Sequence, residues 1–174
     1  MSTLEGEGFA LRRATANDVE FLAGLATHAE VEPFLAVVSA HSPDEFREET
    51  ERAEQEPEWY GRFVIEVDGE RAGALAFSVA NRRSRIANLY GLMIHPDFRG
   101  RGLADAAARV FSRHLMLDLG FHRLELECYG FNERAIRHAE RIYVREGVKR
   151  KAYRRDGEWV DGVTFSLIRE DLDE

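Results

Sequence analysis

The segment His95-Pro96-Asp97-Phe98-Arg99-Gly100-Arg101-Gly102-Leu103-Ala104 lies between an apolar run, Ile86 to Ile94, and a stretch of helical spacing that begins at Gly102. Two glycines at alternate positions let the backbone turn sharply and leave its N–H groups uncovered by side chains. Such groups, together with the electropositive tip of the following helix, form an anion cradle. Arg99 and Arg101 add planar charged donors suited to phosphate oxygens. A Walker loop needs Lys and then Ser or Thr after its second glycine, where this chain has Leu103-Ala104. A dinucleotide fingerprint needs Gly or Ala three residues after Gly102, where Asp105 stands. The residues alone therefore describe a strand, a diphosphate-binding loop and a helix.

Working outward, Gly102 to Leu119 reads as a helix burying Leu103, Ala107, Val110, Phe111 and Leu115, ended by Gly120. Arg123 to Tyr129 alternates Leu124, Leu126 and Cys128 against Glu125 and Glu127, the period of a strand. Strand, helix and strand in that order predict a parallel crossover at the sheet centre. Upstream, Tyr60 to Val67, the turn Asp68-Gly69, Ala72 to Val79 and Ile86 to Ile94 predict an antiparallel meander. Phe9 to Arg12 reads as a short strand. Thr15 with Asp18, and Ser42-Pro43-Asp44-Glu45, read as helix starts. Asn132 to about Tyr143 reads as the last helix, and two final strands meet at Asp156-Gly157. The expected fold is α/β of the mixed α+β kind: a mostly antiparallel sheet of six to seven strands with helices on both faces.

The 174 residues carry no repeat or linker, so one domain over 1–174 is expected, with an ordered core of about 9–171 and Met1 to Glu7 as a loose end. An apolar content of 44% suits a globular chain. The formal charge of −8 argues against nucleic acid as a partner, since phosphate binding needs a basic face. No run approaches the roughly 20 apolar residues of a membrane helix. A single cysteine, Cys128, and an N-terminus without the features of a secretory signal point to the cytoplasm. The six histidines show no metal-ligand spacing, and no metal is expected.

Arg99-Gly100-Arg101-Gly102-Leu103-Ala104 resembles the coenzyme A motif of the GNAT superfamily of N-acetyltransferases, Arg/Gln-x-x-Gly-x-Gly/Ala. The likeness extends from about Phe9 to Asp171. Phe9 to Asp18 is similar to the usual GNAT opening, Leu92 to Phe98 to the strand leading into the loop, and Asn132-Glu133-Arg134-Ala135 to a helix start. Glu146-Gly147 through Val160-Asp161 resembles the branch containing ribosomal-protein N-terminal acetyltransferases.

This resemblance implies transfer of an acetyl group from acetyl-CoA to a primary amine, a small amine or a peptide N-terminus, by direct attack. It implies that backbone groups of Arg99, Gly100, Arg101, Gly102, Leu103 and Ala104 hold the pyrophosphate. It places Leu92, Met93 and Ile94 beside the pantetheine arm, and dimers are common among relatives. Asn132 caps its helix or also hydrogen-bonds the cofactor arm; both readings stand. Many members carry an acid tyrosine where this chain has Ala139. Tyr143, four residues on, would share that helix face and is either a hydroxyl donor or a packed tyrosine. Glu127 is the leading carboxylate for the base, although strand alternation leaves its direction open. The acceptor cleft falls to His28 to Glu58 and to loops near Trp59 and Tyr129. The basic strand with Lys149, Arg150, Lys151, Arg154 and Arg155 reads as exposed charge, or as a contact for the adenosine 3′-phosphate or an acidic partner. A CoA-binding domain without efficient transfer is the alternative, kept open by Ala139.

Overall fold

The computed structural model describes residues 3–31 and 40–173. Among these, eight strands form one sheet in the order β1-β2-β3-β4-β5-β6-β8-β7. The strands are β1 (Leu4–Gly6), β2 (Phe9–Arg13), β3 (Tyr60–Val67), β4 (Glu70–Asn81), β5 (Ile86–Ile94), β6 (Arg123–Tyr129), β7 (Val144–Arg155) and β8 (Glu158–Ile168). Their partners run antiparallel except for β5 and β6. The helices are α1 (Val19–Ala26), α2 (Pro43–Gln55), α3 (Leu103–Leu117) and α4 (Glu133–Glu140). The parallel pair is the strand–helix–strand crossover through α3, as the sequence order requires.

Helix starts follow their capping residues. Thr15 and Asp18 form a reciprocal capping box ahead of α1, and the Ser42 hydroxyl accepts from the Glu45 N–H at the start of α2, with Pro43 at its first position. The two sheet faces carry separate cores. On one, Phe63, Phe77, Phe111, Leu115, Phe121 and Phe165 are buried beneath α3, and Phe63 meets Phe111 edge to face with centroids 5.1 Å apart. On the other, Val19, Leu22, Leu25 and Phe46 from α1 and α2 cover Ala74 and Met93. Each such buried large side chain contributes about 1.5–3 kcal/mol.

Three expectations are corrected. The segment expected to be loose holds β1, whose Leu4 pairs with Leu11; three residues are too few to show alternation, so the pairing is visible only in the tertiary structure. This strand brings the sheet to eight. The last helix ends at Glu140, not near Tyr143, because Arg141 and Ile142 turn the chain and Val144 already begins β7. Tyr143 is therefore not on the face of α4; its N–H still donates to the Ala139 carbonyl at 2.7 Å. Helix α3 stops at Leu117, three residues before Gly120, which has φ +75°. No helix among the described residues is long and apolar enough to cross a membrane.

Candidate active site

Strands β5 and β6 pair through three residues each, Ile86 to Asn88 with Arg123 to Glu125. Beyond that point they separate, although β5 runs on to Ile94 and β6 to Tyr129. Among the described residues, the gap leaves one backbone edge of Leu89 to Ile94 without a strand partner, the kind of edge that takes up an extended amide chain. A cavity of about 720 Å³ passes through it, lined on the α3 and α4 side by residues such as Ala104, Ala108 and Ala135, and on the other by Val31, Tyr90, Glu127 and Tyr153. A bulge shapes its β5 wall: Tyr90 pairs with Ala76 and Met93 with Ala74, so Gly91 and Leu92 face Leu75 alone. Gly91 has φ +65°, and a Cβ there would come within 2.7 Å of Arg62 Nη1.

At one end of the cavity the chain turns into α3. Gly102 is the N-cap residue, in the left-handed region at φ 69°, and Gly100 has φ 78°. A Cβ at either glycine would meet no atom within 4 Å, so both face open space. Among the described residues, no hydrogen bond engages the N–H groups of Gly100, Arg101, Gly102, Leu103 or Ala104. The first turn of a helix has no internal acceptors for its donors, and these donors converge on the positive end of α3. The residues thus fit a diphosphate. Of the two arginines, Arg99 Nη2 donates to the Glu30 carbonyl at 2.8 Å, and Arg101 lies over the Phe98 ring at 5.4 Å. Asp105, in the next turn, binds His138 Nδ1 and Arg141 Nε, each at 2.5 Å, which ties α3 to the end of α4. The hydrogen bond from Arg141 chiefly holds the Asp105 carboxyl below the usual range.

On β6, Leu124 and Cys128 join the core under α3, so alternation sends Glu125, Glu127 and Tyr129 to the opposite face. Glu127 therefore enters the cavity on the side of α1 and α2. Its Oε1 lies 2.7 Å from Lys149 Nζ, and its Oε2 accepts from the Tyr153 hydroxyl. Tyr153 and Glu127 meet over Gly162 of β8: a Cβ there would sit 2.8 Å from the Tyr153 ring and 3.0 Å from Glu127 Oε2. A wide bulge in β7 between Lys149 and Tyr153, stabilised by the Lys151 N–H on Asp161 Oδ1 at 2.7 Å, brings the two residues to one patch. The basic strand thus splits by partner: Lys149, its side chain 59% exposed, reaches Glu127, while Arg150 and Arg154 are exposed on the same strand. Tyr129 stacks on Phe131 with centroids 5.2 Å apart and meets Tyr153 edge to face.

Across the gap, Arg62 is 4% exposed and holds Glu49 with two hydrogen bonds of 2.8 and 3.1 Å. Tyr90 donates to the same carboxylate at 3.3 Å; burial, then the nearby Glu49, pushes its phenol up to about 12. Neither Arg62 nor Tyr153 carries a sequence signal of its own. Gly162, between Asp161 and Val163 in a strand pattern, was the available clue, because an isolated strand glycine marks a close approach.

Tyr143 borders the cavity on the α3 side at 7% exposure, its hydroxyl 3.1 Å from Ser112 Oγ. Burial pushes its phenol up to about 12. Cys128 is buried beside it, with its thiol pushed up to about 11 by desolvation and then by Glu127; a thiol held protonated is a poor nucleophile. The Asn132 side chain accepts from the Ala135 N–H at 3.1 Å, so the capping reading holds, and Asn132 also lines the cavity. The acceptor segment expected over His28 to Glu58 lies partly outside the described residues, at 32–39.

A model of the acetyltransferase (GNAT) domain matches residues 9–143. The SPbeta prophage-derived uncharacterized N-acetyltransferase YokL of Bacillus subtilis is 26% identical over 173 residues, 97% of this chain and 94% of that protein. The spermidine N(1)-acetyltransferase of Escherichia coli is 36% identical over 75 residues, 43% of this chain and 40% of that protein. The structure of RimL, a ribosomal L7/L12 alpha-N-protein acetyltransferase in complex with coenzyme A, superposes with a TM-score of 0.83 at 19% identity, over 98% of this chain and 99% of that one. With the family model covering most of the chain, and the fold shared end to end with such a structure, the protein belongs to the acetyltransferase (GNAT) family.

Proposed function

We propose that this protein transfers an acetyl group from acetyl-CoA to a primary amine, either a small amine or a peptide N-terminus, by direct attack within the cavity between β5 and β6. The observation that carries this reading is one continuous cavity with free N–H donors at its α3 end and a carboxylate, Glu127, on the far face. The N–H groups from Gly100 to Ala104 hold the pyrophosphate, and the unpaired edge of Leu92, Met93 and Ile94 takes the amide arm. Arg99 and Arg101 border the phosphates. Bound this way, the thioester supplies an activated acetyl group facing the bulge at Gly91. Backbone N–H groups there meet the charge that develops on the carbonyl oxygen, where such a donor is worth about 2.7–4 kcal/mol.

Glu127 receives the proton of the attacking amine, directly or through water. An ionised carboxylate has about four lone-pair sites, so the contacts from Lys149 and Tyr153 leave room for it. Tyr143 serves packing in this reading. Its phenol, pushed up to about 12, cannot readily protonate a thiolate whose ordinary pKa is about 8.5, and the thiolate leaves without a dedicated acid. Asn132 caps α4 at the cavity wall. A CoA-binding domain without efficient transfer is favoured by one observation, the fully buried Ala139 where a hydroxyl is usual in relatives.

The test is a panel of polyamines, aminoglycosides, single amino acids and short peptides incubated with acetyl-CoA. Free thiol and acetylated amine appear in equal amounts if the reading holds. Tight acetyl-CoA binding without product from any amine would select the second reading, and absence of binding would remove both.

A further inference from the structure

The acceptor half of the cavity has an uneven charge arrangement. Glu127 is engaged on both oxygens, by Lys149 and by Tyr153. Glu125, two residues earlier on the same strand face, lies 2.8 Å from Arg123. Across the gap Glu49 is held by Arg62 through two bonds. Glu30, exposed, also lines the cavity, and it shows no ion pair among the described residues. Between these groups the wall is aromatic, from Tyr90 to Tyr129 and Tyr153, with Phe131 continuing it outward at 46% exposure.

From this we infer that Lys149 determines acceptor specificity. Its ammonium, on a side chain 59% exposed, lies 2.7 Å from Glu127 Oε1 and occupies the cation subsite of that carboxylate, so the acceptor face takes an amine with one positive charge on an apolar or aromatic body and rejects polycations. The inference rests on the acceptor reading given above and narrows its substrate class. The physical reason is that recognition of a polycation needs a second uncompensated carboxylate behind the reacting amine. Glu127 has the position, but its charge is already balanced by a side chain of the chain itself. Its spare lone pairs still accept a proton from one amine. A second ammonium brought to the same place meets Lys149, and like charges in contact are strongly discriminated against.

The experiment compares spermidine with a dipeptide bearing an aromatic first residue and one free amine. It is run on the full chain and on Lys149→Met, Lys149→Arg and Lys151→Met. Turnover is read as acetylated product, and affinity is read by calorimetry on protein saturated with CoA. The unaltered chain is expected to prefer the dipeptide. Lys149→Met should raise the spermidine-to-dipeptide ratio of kcat/KM, and spermidine affinity, by about tenfold. Lys149→Arg should restore the original preference, and Lys151→Met, whose side chain has no contact with Glu127, should leave it in place. An unchanged ratio in Lys149→Met overturns the inference. So does an equal shift in Lys151→Met, which would mark a general surface-charge effect, or an initial preference for spermidine. Should no amine be acetylated, the transferase reading fails, while spermidine affinity in the two methionine variants still decides the role of Lys149.

Discussion

The two ends of the cavity are built in opposite ways. At the α3 end, all the elements lie in one stretch from Gly91 to Asp105, and the working groups are backbone N–H donors displayed by a left-handed Gly102. At the β6 end the elements are scattered, with Glu127, Lys149, Tyr153 and Gly162 coming from three strands and meeting through side chains. In the proposed reading the first design is insensitive to most side-chain changes, because main-chain N–H groups are its donors. The second depends on each side chain and on the close approach of Tyr153 and Glu127 that the missing Cβ of Gly162 permits.

The largest effect is expected from Gly102→Val. A β-branched residue at φ 69° is strained by about 1–3 kcal/mol, and its side chain would fill the space over the helix tip. Loss of two charge-assisted hydrogen bonds, each worth about 1.5–3 kcal/mol, predicts a fall in acetyl-CoA affinity of about a hundredfold or more by calorimetry. The far spectrum of circular dichroism should show a folded chain. Unaltered affinity would break the comparison at its stronger end.

Glu127→Gln follows. Loss of a positioned base should lower kcat/KM by about 10²–10⁴-fold, while CoA affinity stays as it was. If both parameters fell together, the two ends would not be separable.

A smaller effect is expected of Gly162→Ala. The added methyl, 2.8 Å from the Tyr153 ring, should displace Tyr153 or Glu127 and lower kcat/KM about tenfold, as removal of an oriented contact of about 1.4 kcal/mol would. Its CoA isotherm should again match the unaltered chain; a changed isotherm would show that the patch supports the cradle.

The smallest change in activity belongs to Tyr143→Phe. Ser112 loses its buried partner, so stability should fall by about 0.5–1.5 kcal/mol in a denaturant titration. Turnover should stay unchanged at every pH. A clear loss of kcat would instead assign the departing thiolate's proton to Tyr143 and move the acid to the α3 side of the cavity.

Most of the fold was legible because its signals are local. Ser42-Pro43-Asp44-Glu45 starts α2 where capping chemistry says it should, Asp68-Gly69 closes the β3–β4 hairpin, and alternation in Arg123 to Tyr129 gives β6. The short strand β1 was not legible, since three residues carry no period. Helix α4 was overextended for a related reason: Ile142 and Tyr143 continue an apolar pattern, and their burial against α3 rather than along a helix is a tertiary fact.

What the sequence determined by itself is the glycine-bearing turn ahead of α3 and the order of elements around it. Phosphate recognition by main chain needs only glycines at set spacing before a helix, and that spacing is written in consecutive residues. The tertiary structure alone decided which face Glu127 occupies, that Lys149 and Tyr153 reach it, and that Tyr143 is sealed against Ser112. Those relations join residues up to 31 positions apart, and separation along the chain holds no record of contact until the strands β6, β8 and β7 lie side by side.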